Sequence, residues 1–324
     1  MIRYVHPVSR RSAEGRTARV YDELRDEFGL HAEPIVLHSP APDLLAGAWS
    51  VCRETLVAAG RVDRAVKEAV AVAVSELNAC PYCVDAHAAM LAGTRQPPAP
   101  KIEAAMQWAR ATRTPEAAVL AAPPFGPQEA PEMIGTAVLF HYLNRPVSVL
   151  LDDSPLPSTS RLLRPGMVWV AGRRFRRFVR AGPTPGATVD LLPAAPPPPE
   201  FVWASASPAI ADAWARFCGV VEDHGKAALS PAVRTAVSRR LEHWMGEDPG
   251  PGLAWLDEAL ARVHAADRPA GRLAMLAAFA PYRVDEDVVR EYLDVNGDAR
   301  LVAAVCWPAL AAARRVATWL GGGT

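Results

Sequence analysis

Helical periodicity constrains the fold of this chain more than any other feature. Apolar residues recur every three to four positions in almost every segment, and glycine or proline stands where such a pattern stops. Examples are TARVYDELRDEF before Gly29 and DRAVKEAVAVAVSEL from Asp63. We find no convincing series of alternating polar and apolar residues of the kind that β-strands show. The sequence therefore predicts an all-α protein.

The composition is that of an ordinary globular protein. The chain has 324 residues, half of them hydrophobic, which is enough for a substantial core. Its 35 basic residues balance 35 acidic ones, so overall charge does not favour nucleic acid or an anionic membrane as a partner. The N-terminus lacks the apolar segment of a secretion signal, and no later run reaches about 18 uninterrupted apolar residues. We therefore expect a cytoplasmic protein with neither membrane nor nucleic-acid partner.

A proline-rich stretch divides the chain into two halves. The run LLPAAPPPPE cannot continue a helix and favours extended geometry, so we interpret residues 151–200 as a connector. After it, PAIADAW matches DLLAGAW of the first half, which superposes Trp214 on Trp49. This recurrence predicts two duplicated helical units, although helices rich in Ala, Val and Arg also resemble one another by composition alone.

The two units differ in their chemistry. Where the first has Glu68, the second has Thr235, and the second has no counterpart of the Cys80–Cys83 pair. We therefore predict a catalytic first unit and a degenerate second one. The predicted division is a helical arm over 1–34, the catalytic unit over 35–150, the Arg- and Pro-rich connector over 151–200 and the second unit over 201–324.

The stretch SELNACPYCVDAH carries the candidate chemistry. We expect the helix from Asp63 to end at Asn78, a residue that tolerates the left-handed conformation of helix C-caps. A new helix then begins with Pro81 at its first position and Cys80 as its N-cap. On that helix Cys80, Cys83 and His87 share one stripe, because they lie at i, i+3 and i+7.

Two features of this stripe favour a reactive thiolate. Unpaired N–H groups at a helix N-terminus stabilise negative charge, and His87 is one turn from Cys83 and can accept its proton. Glu68, on an otherwise apolar stretch of the preceding helix, needs compensation if buried. We therefore predict that Glu68 orients His87 or takes its proton.

Other readings of the pair remain. A glutaredoxin places its Cys-Pro-Tyr-Cys after a β-strand, whereas the residues before Cys80 are predicted to be helical. A structural zinc site needs four ligands, and one helix supplies three of them, Cys80, Cys83 and His87. Haem attachment needs histidine directly after the second cysteine, where Val84 stands. The three remaining cysteines, Cys52, Cys218 and Cys306, are expected to be small buried hydrophobes.

The pattern of Glu68, Cys80-x-x-Cys83 and His87 resembles the active-site signature of the carboxymuconolactone decarboxylase and AhpD-like alkylhydroperoxidase family. The likeness extends over most of residues 35–150 and 200–321. It implies an AhpD-like helical bundle, usually a homo-oligomer. Tyr82 stands between the cysteines, where some members carry histidine.

The resemblance also implies roles for these residues. Cys83 attacks a hydroperoxide, Cys80 donates a proton and resolves the sulfenic acid to a disulfide, and His87 with Glu68 relays protons. No tightly bound cofactor is expected; an external dithiol, lipoamide-type or another thiol system on a partner protein, reduces the disulfide. Alternative functions are a protein disulfide reductase, a redox sensor or a non-enzymatic helical scaffold.

Two further side chains are candidates for substrate binding. Tyr82 lies within the motif, and His141 lies on the apolar helix PEMIGTAVLFHYLNR, where a lone histidine is also typical of a core position. Asn144 and Arg145 are expected to end that helix and to pair with its last carbonyl groups.

Overall fold

The structure is a computed structural model and describes residues 1–95, 97–155, 164–180 and 182–321. These residues form helices joined by loops, and the one extended pairing among them is an isolated bridge between Ile2 and Leu151. The prediction of an all-α fold is confirmed.

The helices before the connector are mostly short, apart from α8. Two of them, α1 and α3, continue into π-helical turns, Leu24–Phe28 and Arg53–Val57. The helices are α1 Gly15–Glu23, α2 Glu33–Val36, α3 Pro42–Cys52, α4 Arg64–Leu77, α5 Pro81–Gly93, α6 Ala99–Arg110, α7 Ala118–Ala121 and α8 Ala130–Leu150.

The remaining helices include the two longest of the second half, of 21 and 23 residues. Short 3₁₀ turns at Val189–Leu191, Pro199–Ala204, Ala265–Asp267 and Pro281–Arg283 join them. The helices are α9 Arg164–Arg180, α10 Pro208–Ala228, α11 Pro231–His243, α12 Ala254–Leu260, α13 Arg268–Phe279, α14 Glu286–Leu293 and α15 Asp298–Leu320.

One hydrophobic core runs through both halves of the chain. In the first half α4 packs against α5, α6 and α8, and in the second α15 packs against α10 and α13. The halves meet where α3 lies on α10 and α8 lies on α15. The buried apolar side chains of all these helices form a single continuous cluster.

Helix α8 continues through a proline. The expectation that Asn144 and Arg145 end it is wrong, since the helix runs on through Pro146 to Leu150. A proline inside a helix removes one backbone hydrogen bond. Tertiary packing outweighs this loss, because every residue of α8 except Ser148 is buried. Arg145 donates to the carbonyl of His141 and, at 2.8 Å, to that of Ala278 in α13.

A helix lies within the segment interpreted as a connector. Helix α9 packs closely along α5, since a Cβ atom added to Gly93 would lie 2.6 Å from the carbonyl oxygen of Gly172. Phe175 and Val179 of α9 pack towards the core. The arginines between positions 173 and 180 are exposed. Residues 156–163 and 181 of the predicted connector lie outside the described residues.

Helix α15 is long and apolar enough to cross a membrane by length and composition. However, 78% of its most apolar window is buried inside the protein. Such burial is typical of a helix in a protein core.

Candidate active site

The turn between α4 and α5 sets the cysteine pair at the start of a helix. As predicted, α4 is capped by Asn78 and α5 begins at Pro81 after the N-cap Cys80. The left-handed residue is not Asn78, whose φ is −90°, but Ala79, whose φ is +50°. The side chain of Asn78 is engaged elsewhere, because it donates hydrogen bonds to two residues of α8.

Glu68 and His87 form a buried pair across the α4–α5 hairpin. The Nδ1 atom of His87 lies 2.6 Å from Oε2 of Glu68. The other carboxylate oxygen, Oε1, accepts a hydrogen bond of 2.6 Å from Nε of Arg64, one turn earlier on α4. Burial alone would raise the pKa of Glu68, but the charges of Arg64 and His87 outweigh it and lower that pKa. Glu68 is therefore an ionised carboxylate that fixes the orientation of the His87 ring.

The two motif cysteines are buried free thiols, and their pKa values move apart. A hydrogen bond from Cys83 lowers the pKa of Cys80, and the side chains of Ser148 and Asn144 lower it further. Burial and the adjacent Cys80 sulfur raise the pKa of Cys83 well above its usual range. The first thiolate of the pair therefore forms on Cys80, and Cys83 donates its proton towards it.

In the other three cysteines burial outweighs the local partners, which include the Tyr142 hydroxyl beside Cys306. Cys52, Cys218 and Cys306 are buried free thiols, as predicted, and burial raises the pKa of each to about 12. Cys80 is equally buried but has hydrogen-bond donors around its sulfur. The contrast shows that local hydrogen bonds, rather than exposure, favour its thiolate.

An apolar cavity of about 270 Å³ lies beside His87. Side chains from α5, α8 and α9 line it together with residues of the chain before α3, among them Tyr82, Met90, Phe140, Leu143 and Phe175. The Phe140 ring meets the His87 ring edge to face, with centroids 4.5 Å apart. Two larger grooves, of about 850 Å³ and about 820 Å³, lie on the second half and contain none of the predicted site residues.

The structure separates the two candidates for substrate binding. Tyr82 lines the cavity, and its hydroxyl donates to Glu33 at 3.0 Å. His141 is fully buried outside the cavity lining, and its ring lies 3.2 Å from Asn78 and 2.8 Å from the Thr112 hydroxyl. His141 therefore belongs to a polar network behind the cysteines rather than to the cavity.

Sequence reasoning missed three polar residues of this site. Arg64 had a signal, because it stands four residues before Glu68 on the same helix, the spacing of a helical ion pair. Asn144 and Ser148 had none, since they lie on α8, more than sixty positions away from the cysteines. In the described parts of the chain, no three His, Cys, Asp or Glu side chains are grouped so that they could hold a metal ion.

Comparison with known proteins places these residues in a family context. A sequence model described as the carboxymuconolactone decarboxylase family matches residues 42–123, a range that contains all four motif residues. A curated relative, Alkyl hydroperoxide reductase Rv2159c of Mycobacterium tuberculosis (strain ATCC 25618 / H37Rv), is 39% identical over 342 aligned positions. The alignment covers 99% of this chain and 95% of the relative.

The chain belongs to the carboxymuconolactone decarboxylase family. The resemblance inferred from the motif is thereby confirmed. The family match ends before α8, whereas the similarity to the relative continues through the connector and the second half. The helices α8 to α15 are therefore part of what this family member shares with its relative.

Proposed function

We propose that this protein is a thiol-dependent peroxidase that reduces organic hydroperoxides through a Cys80–Cys83 disulfide cycle. One observation carries the proposal. Glu68, a buried and ionised carboxylate, is hydrogen-bonded to Nδ1 of His87. His87 lies one helical turn from Cys83 of the dithiol, and it lines an apolar cavity.

The first step is attack by Cys83 on the hydroperoxide. Cys83 gives its proton to Cys80 or to Nε2 of His87, because Nδ1 of that ring is held by Glu68. Its sulfur then bonds to the terminal peroxide oxygen, and the O–O bond breaks. The alkoxide that leaves takes this proton back from the group that accepted it, the Cys80 thiol or the His87 imidazolium, which gives an alcohol and a sulfenic acid on Cys83.

The second step closes the disulfide. The Cys80 thiolate attacks the Cys83 sulfur, the S–S bond forms, and hydroxide leaves and is protonated to water. Two thiols and one hydroperoxide thus give one disulfide, one alcohol and one water. An external dithiol, lipoamide-type or from another thiol system, returns the pair to the reduced state by exchange, and no tightly bound cofactor takes part.

The cavity favours an organic substrate. Its walls are mainly apolar, and transfer of alkyl surface into such a site is favourable by roughly 25 cal/mol per Å². Hydrogen peroxide gains nothing from these walls. The name of the curated relative, an alkyl hydroperoxide reductase, supports the same class of substrate.

The proposal includes the setting in which the enzyme works. All five cysteines are free thiols, which suits the reducing cytoplasm. Its partners are the hydroperoxide and a dithiol-carrying reductant protein. We also propose that the chain can form a homo-oligomer, as members of the family usually do.

Turnover with a dithiol tests the function directly. With dihydrolipoamide as reductant, the wild type should consume an aryl or alkyl hydroperoxide with a higher kcat/KM than hydrogen peroxide. Cys83→Ser should abolish consumption, while Cys218→Ala, a buried cysteine of the second half, should retain it. If no peroxide is consumed but a protein disulfide is reduced, the disulfide reductase is the better description.

A further inference from the structure

Helix α9 presents a continuous exposed surface that the proposed peroxidase cycle does not use. At 3.6 residues per turn, its exposed positions fall within roughly 160° of the helix circumference. Phe175 and Val179 lie on the opposite side, which packs on the core. We call the exposed surface the outer face of α9. Its side chains are Trp169, Val170, Arg173, Arg174, Arg176 and Arg177.

The outer face is strongly basic, although the whole chain is neutral. Among the described residues, no carboxylate pairs with any of its four arginines. Asp26 and Glu27 share a groove with Arg177, but they pair with Arg25 and Arg53. The overall charge balance, from which we expect no anionic partner, therefore conceals a local concentration of positive charge.

The outer face also exposes apolar side chains. Trp169 is 56% exposed and Val170 is 62% exposed, and the Arg173 guanidinium lies over the Trp169 ring, 4.9 Å from its centroid. A helix that combines arginines with an exposed tryptophan is typical of the boundary between lipid headgroups and acyl chains. A nucleic acid or an acidic protein would pair with the arginines but would leave Val170 in water. These side chains therefore favour an anionic lipid surface.

The cavity beside His87 lies directly behind the outer face. Ala171 and Phe175, on the inner side of α9, line this cavity. The diameter of one helix, about 10 Å, therefore separates the outer face from the cavity.

We propose that the outer face of α9 binds the surface of an anionic phospholipid membrane. Trp169 and Val170 enter the headgroup region, and the arginines pair with lipid phosphates. The protein then lies on the bilayer without crossing it. One consequence, which rests on the proposed function, is that apolar hydroperoxides dissolved in the bilayer reach the cavity at the membrane surface.

Co-sedimentation of the full chain with phospholipid vesicles tests the proposal without any peroxide. The wild type should bind vesicles of phosphatidylcholine mixed with phosphatidylglycerol, and it should not bind phosphatidylcholine alone. Added salt should weaken this binding. Arg174→Gln/Arg176→Gln removes two charges from side chains at the protein surface, and it should lower the affinity for the mixed vesicles about 30-fold. Trp169→Ala should also lower it.

Arg239→Gln/Arg262→Gln is the matched control. Both arginines are exposed, lie in the second half and pair with no carboxylate among the described residues, so the same charge is lost away from α9. This variant should bind as the wild type does. Equal loss of binding in the two double variants would assign the attraction to net charge and overturn the proposal. Absence of binding to the mixed vesicles would also overturn it, and binding to single-stranded RNA or an acidic peptide instead would assign the outer face to that polyanion.

Turnover separates membrane binding from the peroxidase reaction. Vesicle binding by a wild type that consumes no peroxide would refute the peroxidase and leave the membrane-binding face standing. In an active enzyme, Arg174→Gln/Arg176→Gln should slow consumption of a hydroperoxide carried in the mixed vesicles and leave consumption of a water-soluble hydroperoxide unchanged. Wild-type rates with both hydroperoxides would contradict the consequence for turnover.

Discussion

At the residue scale, the ionised state of Glu68 decides what His87 can do. The carboxylate holds the ring through Nδ1 and is itself compensated by Arg64. Glu68→Gln removes this charge, so we expect kcat/KM for an organic hydroperoxide to fall about 10²- to 10⁴-fold, the usual contribution of general acid–base catalysis.

The control for this variant is Glu76→Gln. Glu76 stands on the same helix, is exposed and pairs with Arg110 at the surface, where an ion pair is worth about 0–1 kcal/mol. It should leave kcat/KM unchanged. Equal activity of the two variants in a peroxide-consumption assay would contradict the relay.

A second residue, His38, makes the free energy of unfolding depend on pH. His38 is fully buried between the carbonyl of Ile35 and the hydroxyl of Tyr142, and burial lowers its pKa to about 4. As pH falls below about 6.5, His38 becomes protonated in the unfolded chain but stays neutral in the folded protein. The free energy of unfolding should therefore fall by about 2–3 kcal/mol between neutral pH and about pH 4.5.

Urea unfolding at both pH values checks this expectation. His38→Gln should lose less of its stability in acid than the wild type does, while His243→Gln, at an exposed position, should follow the wild type. An acid-induced loss in His38→Gln as large as that of the wild type would assign the effect to other groups.

The sequence revealed the part of the site that is local in the chain. Helical spacing placed Cys80, Cys83 and His87 on one helix and Glu68 on its neighbour, and the structure brings Glu68 and His87 together. It gave no sign of Asn144 or Ser148, because which face of α8 meets the cysteines depends on packing between distant segments.

At the element scale, α9 acts as a wall of the cavity. Ala171 and Phe175 line the cavity, and the helix lies against α5 through Gly93 and Gly172. A Cβ atom at position 172 would lie 2.8 Å from the carbonyl oxygen of Ala89, which is backbone and cannot move aside. Gly172→Ala should therefore push α9 away from α5 and open the cavity.

Limited trypsin digestion measures this displacement, because α9 carries several exposed arginines. We expect Gly172→Ala to be cleaved within α9 at least several-fold faster than the wild type. Gly166→Ala, on the same helix with no atom within 4 Å of the added Cβ, should be cleaved as slowly as the wild type. Equal cleavage of the two variants would show that the contact between α5 and α9 tolerates an added methyl group.

Element ends and interruptions were the least predictable features of the fold. Asn144 and Arg145 are expected to end a helix, yet α8 continues through Pro146 to Leu150 because the surrounding protein buries it. The proline run after α9 predicts extended geometry, whereas the arginine-rich segment before it forms a helix. Both differences arise from tertiary packing, which overrides local preference.

At the scale of the whole molecule, the two halves share one core. Phe217 of α10 packs edge to face on Tyr142 of α8, with ring centroids 5.0 Å apart, and lies against Gly47 of α3. We propose that the halves are duplicated units, since the helices that correspond in sequence, α3 with α10 and α8 with α15, pack on each other as in a two-fold dimer.

A shared core predicts a shared unfolding transition. Phe217→Ala, in the half without redox residues, should cost about 3–5 kcal/mol, as truncation of a buried aromatic ring usually does. Helicity and the protection of Cys80 and Cys83 from alkylation should be lost together, at one lower denaturant concentration. Val295→Ala, at an exposed position, should behave as the wild type does. Loss of helicity in one half while the thiols stay protected would contradict a single core.

The most direct test of the central claim is mass spectrometry of the reduced protein before and after one equivalent of an organic hydroperoxide. We expect the loss of two hydrogen atoms, mapped to a disulfide between Cys80 and Cys83, with the peroxide converted to its alcohol. In Cys83→Ser, the disulfide should not form and the peroxide should persist. A wild-type pair that stays reduced in the presence of unconsumed peroxide would contradict the peroxidase cycle.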